Sequence, residues 1–415
     1  MPRFEDMSED SDSDSDNGES NPRRKILVVG GFAHFVHDGF TDCIYVLLPL
    51  WAAAFALNHA EVGALKMVMM GTMAAFQVPA GILAERYGER AILAWGTVLA
   101  GVGFILMGWA DGFLGLLLFL GIAGIGCGTQ HPLVSSVISR AYEGAKRRAA
   151  LGTYNFTGDL GKVAAPAAVA AAAAAYGWPS STIGYGLFAV VAAFFVFILL
   201  PKQTQPTPDV PSSSAETKAA DTPPVSDSGW GIIDSRGFST LAAIGMIDSG
   251  VRMGFLTFVP FLLMDKGAAV ETLGVALGLV FAGGAAGKLV CGFIAERVGI
   301  LRTVILTELA TAGFMAAVIV LPLEQALMAL PLFGVALNGT SSVLYGTVGD
   351  FVDGVRQARA YGLFYTLGIG AGALAPILFG VVSDMFGVSV ALTSIALSVL
   401  VILPLCHVLR PSLQH

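Results

Sequence analysis

Apolar residues run through most of this chain in stretches long enough to cross a bilayer, with short polar breaks between them. A helical crossing needs about 20 mostly apolar residues. The pattern predicts twelve, over 26–55, 61–84, 91–110, 113–138, 149–175, 181–200, 238–264, 271–295, 301–321, 325–349, 358–383 and 388–409. A β-barrel would show short alternating segments instead, and a soluble α/β protein would not sustain such hydrophobicity. Two segments break the pattern. Residues 1–22 are acidic and Ser-rich and read as a disordered, solvated tail, too acidic for a signal peptide. Residues 201–237, rich in Pro, Ser, Thr and Asp, read as a flexible linker between a six-helix bundle at 23–200 and a second at 238–410, with 411–415 as a short tail.

Sliding one half on the other shows a repeat. At an offset of 211 residues, GILAERYG (81–88) falls on GFIAERVG (292–299), Gly39 on Gly250, Pro49 on Pro260 and Gly128-Thr129 on Gly339-Thr340. At 210, Gly152 falls on Gly362 and Ala165-Pro166 on Ala375-Pro376. Six is even, so the halves repeat in the same sense, an arrangement that secondary transporters use. The expected fold is an all-α membrane protein of two six-helix pseudo-symmetric bundles.

Composition agrees: 55% hydrophobic, 13% charged and 51 glycines point to an integral membrane protein. The net charge of −7 reflects mostly the acidic start, and no basic face suggests nucleic acid. Four cysteines, Cys43, Cys127, Cys291 and Cys406, lie inside spans without paired spacing, so neither a disulfide framework nor a metal site is expected. There is no phosphate-cradling Gly-rich loop, no His-Glu-x-x-His and no nucleophile elbow, which argues against an enzyme, a bound cofactor or a nucleotide-driven pump. Lys and Arg mark cytoplasmic loops. Arg23, Arg24, Lys25, Arg86, Arg90, Arg140, Lys146, Arg147, Arg148, Arg236, Arg297, Arg302, Arg356, Arg359 and Arg410 fall on one side, against Lys66 and Lys266 on the other. A multi-pass plasma-membrane protein with both termini in the cytoplasm is expected.

The two G-x-x-x-E-R-x-G loops, the repeat and the linker resemble the major facilitator superfamily over residues 23–410. In that superfamily the first loop usually carries Asp where this chain has Glu85, and Arg where it has Glu89. The resemblance implies a gate at the cytoplasmic ends of the bundles, here Glu85, Arg86, Arg90, Glu296 and Arg297. AHFVHD (33–38), GCGTQHP (126–132) and TGDLGKVAAP (157–166) resemble the fosmidomycin-resistance branch, with departures at His37, Asp159 and Lys162. The branch implies export of a drug or metabolite.

Charges inside the spans are the other signal. An ionised side chain at a helix centre costs about 2.5–3.5 kcal/mol on insertion scales, so such residues are functional candidates by default. Asp38, Asp159, Lys162 and Arg252 lie roughly 15 to 21 Å into their helices, close to the midplane. His34, Asp38 and Asp42 stack four apart, as do Asp248 and Arg252, while Asp159 and Lys162 are three apart; pairing within or between helices is open. Lys162 and Arg252, one from each half, suit a carboxylate, phosphate or phosphonate, with His131, His37 and Asn155 beside it. Asp38, Asp42, Asp159 or Asp248 can take up a proton. Lys288 and Glu308 stand between packing and function, and the same pairs could simply neutralise each other.

The expected function is secondary active transport of a small polar or anionic solute by alternating access, proton-coupled and outward. Proton-coupled uptake of an organic anion is the alternative, and a non-transporting sensor or scaffold the alternative of another class. Expected partners are the solute, protons and the lipid bilayer, with the chain acting as a monomer.

Overall fold

The computed structural model describes residues 16–202, 231–352 and 357–413. The first half of the chain folds as α1 (Asp16–Phe55), α2 (His59–Tyr87), α3 (Glu89–Met107), α4 (Phe113–Cys127), α5 (Gln130–Ala141) and α6 (Gly144–Leu199). The second gives α7 (Ser235–Asp265), α8 (Val270–Val298), α9 (Ile300–Val320), α10 (Leu323–Thr347), α11 (Gln357–Phe386), α12 (Val388–Val399) and α13 (Ile402–Leu409). Among the described residues, eleven helical stretches are long and apolar enough to cross a membrane, and α4 with α5 forms one of them.

One of the eleven covers two expected spans. Its 51 residues, 149–199, would reach about 77 Å, more than twice the ~30 Å hydrocarbon core. The backbone leaves the helix at Gly177 (φ 80°, ψ 155°), where positive φ favours glycine, and Pro179 follows, lacking an N–H donor. The same conformation recurs at Gly88 (φ 85°, ψ 142°), Gly299 (φ 92°, ψ 152°) and Gly387 (φ 90°, ψ 159°). Gly88 and Gly299 are 211 apart and Gly177 and Gly387 are 210 apart, so the repeat in the sequence is a repeat in the turns.

The apolar packing explains where the molecule is closed. One buried cluster, containing Phe40, Trp51, Leu65, Phe104, Phe255, Phe258 and Phe333, joins the two halves at the end of the bundle away from the termini. At the end bearing the termini the core divides. One cluster there, around Leu93, Val134 and Tyr154, belongs to the first half, and another, around Leu241, Leu344 and Phe364, to the second. Glycines follow the same division. Toward the far end, a Cβ at Gly63 would collide with the Pro376 carbonyl, one at Gly380 with His59, and one at Gly274 with Ala170. Toward the termini, Gly71, Gly81, Gly152, Gly292, Gly362 and Gly370 face open space.

A clamp holds the far end. Asp384 of α11 accepts hydrogen bonds from the first backbone N–H groups of α2, His59 at 2.7 Å and Ala60 at 3.0 Å, and its Oδ1 lies 3.4 Å from His59 Nδ1. The carboxylate of one half thus caps a helix N-terminus of the other, where unpaired N–H groups and the helix dipole favour negative charge.

Some expected boundaries move. Residues 16–22, expected in the tail, already belong to α1, and 235–237, expected in the linker, begin α7, whose first N–H groups are capped by Asp234. Residues 1–15 and 203–230, most of both segments, lie outside the described residues. Lys66 is no loop charge: seven residues into α2 and buried, its ammonium donates to the Thr41 carbonyl (2.8 Å) and sits 3.8 Å above the Tyr45 ring.

Candidate functional site

Two glycines set the centre of the site. In the α6 stretch Thr157-Gly-Asp-Leu-Gly-Lys162, a Cβ at Gly158 would stand 2.5 Å from His34 Nε2 and 2.7 Å from Asp38 Oδ2, and one at Gly161 would overlap the Phe35 backbone. Without side chains there, α1 and α6 close on each other. Asp159 and Lys162, beside those glycines, line a cavity between the halves.

Asp38 is surrounded by groups that can carry positive charge. Lys162 Nζ lies 3.3 Å from Oδ2, His34 Nε2 3.2 Å from the same oxygen, and His131 Nε2 3.7 Å from Oδ1. The other nitrogen of His34, Nδ1, is 2.8 Å from the Tyr154 carbonyl, which can only accept, so Nδ1 carries the proton. His34 also stacks on the Tyr154 ring at 4.1 Å. The approach of Nε2 to Asp38 is then a contact between lone pairs unless a proton sits on one of them. His34, Asp38 and His131 offer metal-type donors within 4.8 Å of one another. The Lys162 ammonium already supplies cationic charge at the same carboxylate, so the group reads as an ion-pair and proton cluster.

Asp159 connects the halves. Lys288 of α8 donates to both its oxygens, at 2.7 and 2.8 Å, and Lys162 approaches Oδ1 at 3.6 Å. The adjoining cavity, about 210 Å³, is lined by Asp42, Tyr45, Asp159 and Lys162 from the first half and by Arg252, Phe281, Lys288 and Asn338 among others from the second. Three cations face two carboxylates there. Tyr45 closes one edge, its hydroxyl donating to Met253 Sδ across the divide at 3.2 Å.

In the second half, Arg252 Nη2 lies 3.8 Å from Asp248 Oδ2 and Nη1 donates to Ser341 Oγ at 3.2 Å. The side chains of Asp248 and of Glu308 on α9 meet within hydrogen-bonding reach, and Thr340 beside them gives its own proton to Thr307 Oγ1 at 2.7 Å.

The other expected site residues are scattered. His37 is buried with Nε2 2.7 Å from Thr97 Oγ1 on α3, whose own proton goes to the Leu93 carbonyl, so His37 donates away from the cavity. Asn155 is exposed and off the cavity lining. His131 reaches Asp38 from a different opening, a cleft of about 670 Å³ that it lines with Gly71, Gln77, Tyr365 and Gly370 between α2 and α11. Of the expected gate, Arg86 lies over the Tyr87 ring and Arg90 over Phe197, both within the first half. Neighbouring Glu89 pairs with Arg140 in that half too. Glu85, Glu296 and Arg297 sit at the ends of α2 and α8 nearest the termini. Lys288 stands in the sequence between packing and function, and Tyr45, His59 and Asp384 do not stand out in it. No pattern within one half marks these, since each acts on the other half. Their one signal is that Lys288 is a third cation at membrane depth.

A family model for the Major Facilitator Superfamily matches residues 30–376. The chain is 23% identical to a probable 4-methylmuconolactone transporter of Cupriavidus pinatubonensis, covering 91% of this chain and 88% of that protein. It is 22% identical to the sialic acid transporter NanX of Escherichia coli, covering 92% and 94%. In fold it is similar to a bacterial homolog of the human lysosomal transporter Spinster, with a TM-score of 0.80 at 16% identity over 95% of this chain and 98% of that one. The chain is a transport protein of the membrane and belongs to the Major Facilitator Superfamily.

Proposed function

We propose that this protein is a proton-linked carrier of small organic carboxylates that works by alternating access. The observation that carries the reading is the seat of Asp159, a carboxylate held by Lys162 from its own half and Lys288 from the other, beside a cavity whose far wall is Arg252. A substrate carboxylate has the same charge and shape as Asp159. It can take over one or both lysines, and charge-assisted bonds of this kind are the strong ones. Because one lysine belongs to each half, exchanging the partner loosens or tightens the divide between them.

Counting the break at Gly177 as a crossing gives twelve spans in two bundles, with the Arg-rich loops and both termini in the cytoplasm. In this orientation the cavity opens inward and the Asp384 clamp closes the outside. Closing inward would bring together the ends that carry Glu85, Arg86, Arg90, Glu296 and Arg297. Asp38 takes the coupling proton in the first half, reached through His131, and Asp42 tunes the cavity charge. The relatives named above are transporters of a muconolactone and of sialic acid, in keeping with an anionic cargo. Such a carrier, driven by an inward proton gradient, works as uptake rather than export. The likeness of three stretches to the fosmidomycin-resistance branch does not enter this reading, because His37, Asp159 and Lys162 depart from it where cargo would be chosen.

The test is counterflow into proteoliposomes with a panel of aromatic, sugar-derived and short-chain organic acids, alongside their amides. Uptake of one acid class and not of its amides supports the reading; equal uptake of both, or of neither, removes it. Asp38→Asn is expected to reduce acceleration by a pH gradient while leaving exchange intact.

A further inference from the structure

The second half contains a buried acidic pair that the anion site does not use. Asp248 on α7 and Glu308 on α9 are both buried, and their side chains are hydrogen-bonded to each other. Ionised carboxylates have only acceptor lone pairs, so a bond between two of them requires a proton on one. Like charges this close do not both ionise, as other paired carboxyls show.

Among the described residues, the surroundings hold one positive charge against the pair. Arg252 faces Asp248 from the same helix, Tyr345 and Thr340 approach from α10, Cys406 lies toward Glu308 from α13, and Tyr45 of α1 stands beyond Arg252. One cation balances one ionised carboxylate, which leaves the other carboxyl protonated. One oxygen of Glu308, Oε1, is buried without a hydrogen-bond partner, which a neutral carboxyl tolerates far better than a charged one.

We infer that Asp248 and Glu308 share a single proton and form a proton-binding site in the second half, read out through Arg252. Arg252 lines the cavity and also touches Asp248, so an anion that draws the guanidinium toward itself weakens its hold on Asp248. The pair then keeps its proton more firmly. Linkage makes this reciprocal: a protonated pair frees Arg252 for the anion. Proton and anion therefore load together and travel in the same direction. Only this coupling step rests on the anion-carrier reading; the shared proton stands without it.

Infrared difference spectroscopy on the purified protein at neutral pH tests the proton itself. The wild type minus Glu308→Gln spectrum is expected to contain a protonated-carboxyl C=O band, and Asp248→Asn to lose or displace the same band. Absence of the band from both difference spectra overturns the inference. A pH titration of the wild type alone guards against a variant that fails to fold: the band must disappear with alkali as a carboxylate band grows, and no change across the titration also overturns it. Coupling is read by adding sialic acid or another acid from the panel in weakly buffered medium at the alkaline midpoint of that titration, where the pair is half protonated. Proton uptake by the wild type and none by Glu308→Gln is expected; equal uptake by both overturns the coupling. If no acid binds the wild type, the carrier reading fails while the infrared result still decides the pair.

Discussion

At one pair of repeat-related positions the two halves make the same contact with opposite chemistry. At the offset of 211, His37 of α1 falls on Asp248 of α7, and Thr97 of α3 falls on Glu308 of α9. In the first half the contact is a neutral hydrogen bond of 2.7 Å between an imidazole and a hydroxyl. In the second it joins two carboxyls. The duplicated fold preserved the meeting of the helices and not the groups that meet. The surroundings invert as well: Asp38 is one acid among His34, His131 and Lys162, whereas Arg252 is one cation beside two acids. A symmetric scaffold thus gives each half a different charge to offer, and the cavity between them is where the surplus cations meet.

The largest expected effect comes from removing the cations that set this asymmetry. Lys162→Ala leaves Asp38 and Asp159 short of a partner and should weaken binding of a transported acid by about 10–100-fold, roughly 1.5–3 kcal/mol for a charge-assisted bond, at any pH. Arg252→Ala should do the same and also lower the stability of the detergent-solubilised protein, because breaking a buried pair costs about 3–5 kcal/mol. Binding isotherms and melting curves check both. Next comes Gly158→Ala, which puts a methyl against His34 and Asp38. Overpacking costs about 1–3 kcal/mol and should disturb the first half only, whereas the same change at Gly368, which faces open space, should leave the melting temperature nearly unchanged. Making the halves alike is the sharper test. In Asp248→His with Glu308→Thr, the second half carries the neutral contact of the first, and transport should keep its substrate but lose roughly half of its pH response. The smallest effect belongs to the Asp384 clamp. Asp384→Ala loses a helix cap worth about 1 kcal/mol, some fivefold in the balance between states, visible as faster labelling of a cysteine placed at Ser383.

Much of this was legible from the chain. The all-helical membrane fold and its repeat follow from hydrophobic runs and from the shared Glu-Arg loops, because a bilayer leaves few ways to satisfy a backbone. Depth along a helix singled out Asp38, Asp159, Lys162 and Arg252, which the structure brings to one cavity or its margin. What depth does not contain is rotation about the helix axis. His37 and Asp38 are adjacent in sequence and equally deep, yet one faces α3 and the other Lys162. Asn155, one turn before Asp159 and on nearly the same face, is exposed and lies beyond the lining. Contacts between halves were least legible, since Lys288 with Asp159 and Asp384 with His59 join residues 129 and 325 positions apart. Lys66, counted among the charges on the side away from the termini, is buried, its ammonium held by the Thr41 carbonyl and the Tyr45 ring.

The central claim is that Asp159 occupies the place a substrate carboxylate takes. Calorimetric titration of wild type and Asp159→Asn with the same organic acid tests it directly. Without the internal competitor Lys288 is free and Lys162 is left with Asp38 alone, so the variant should bind the acid about tenfold more tightly, though it exchanges it more slowly across proteoliposomes. Weaker or unchanged binding by Asp159→Asn would show that the lysines serve the fold and not the cargo.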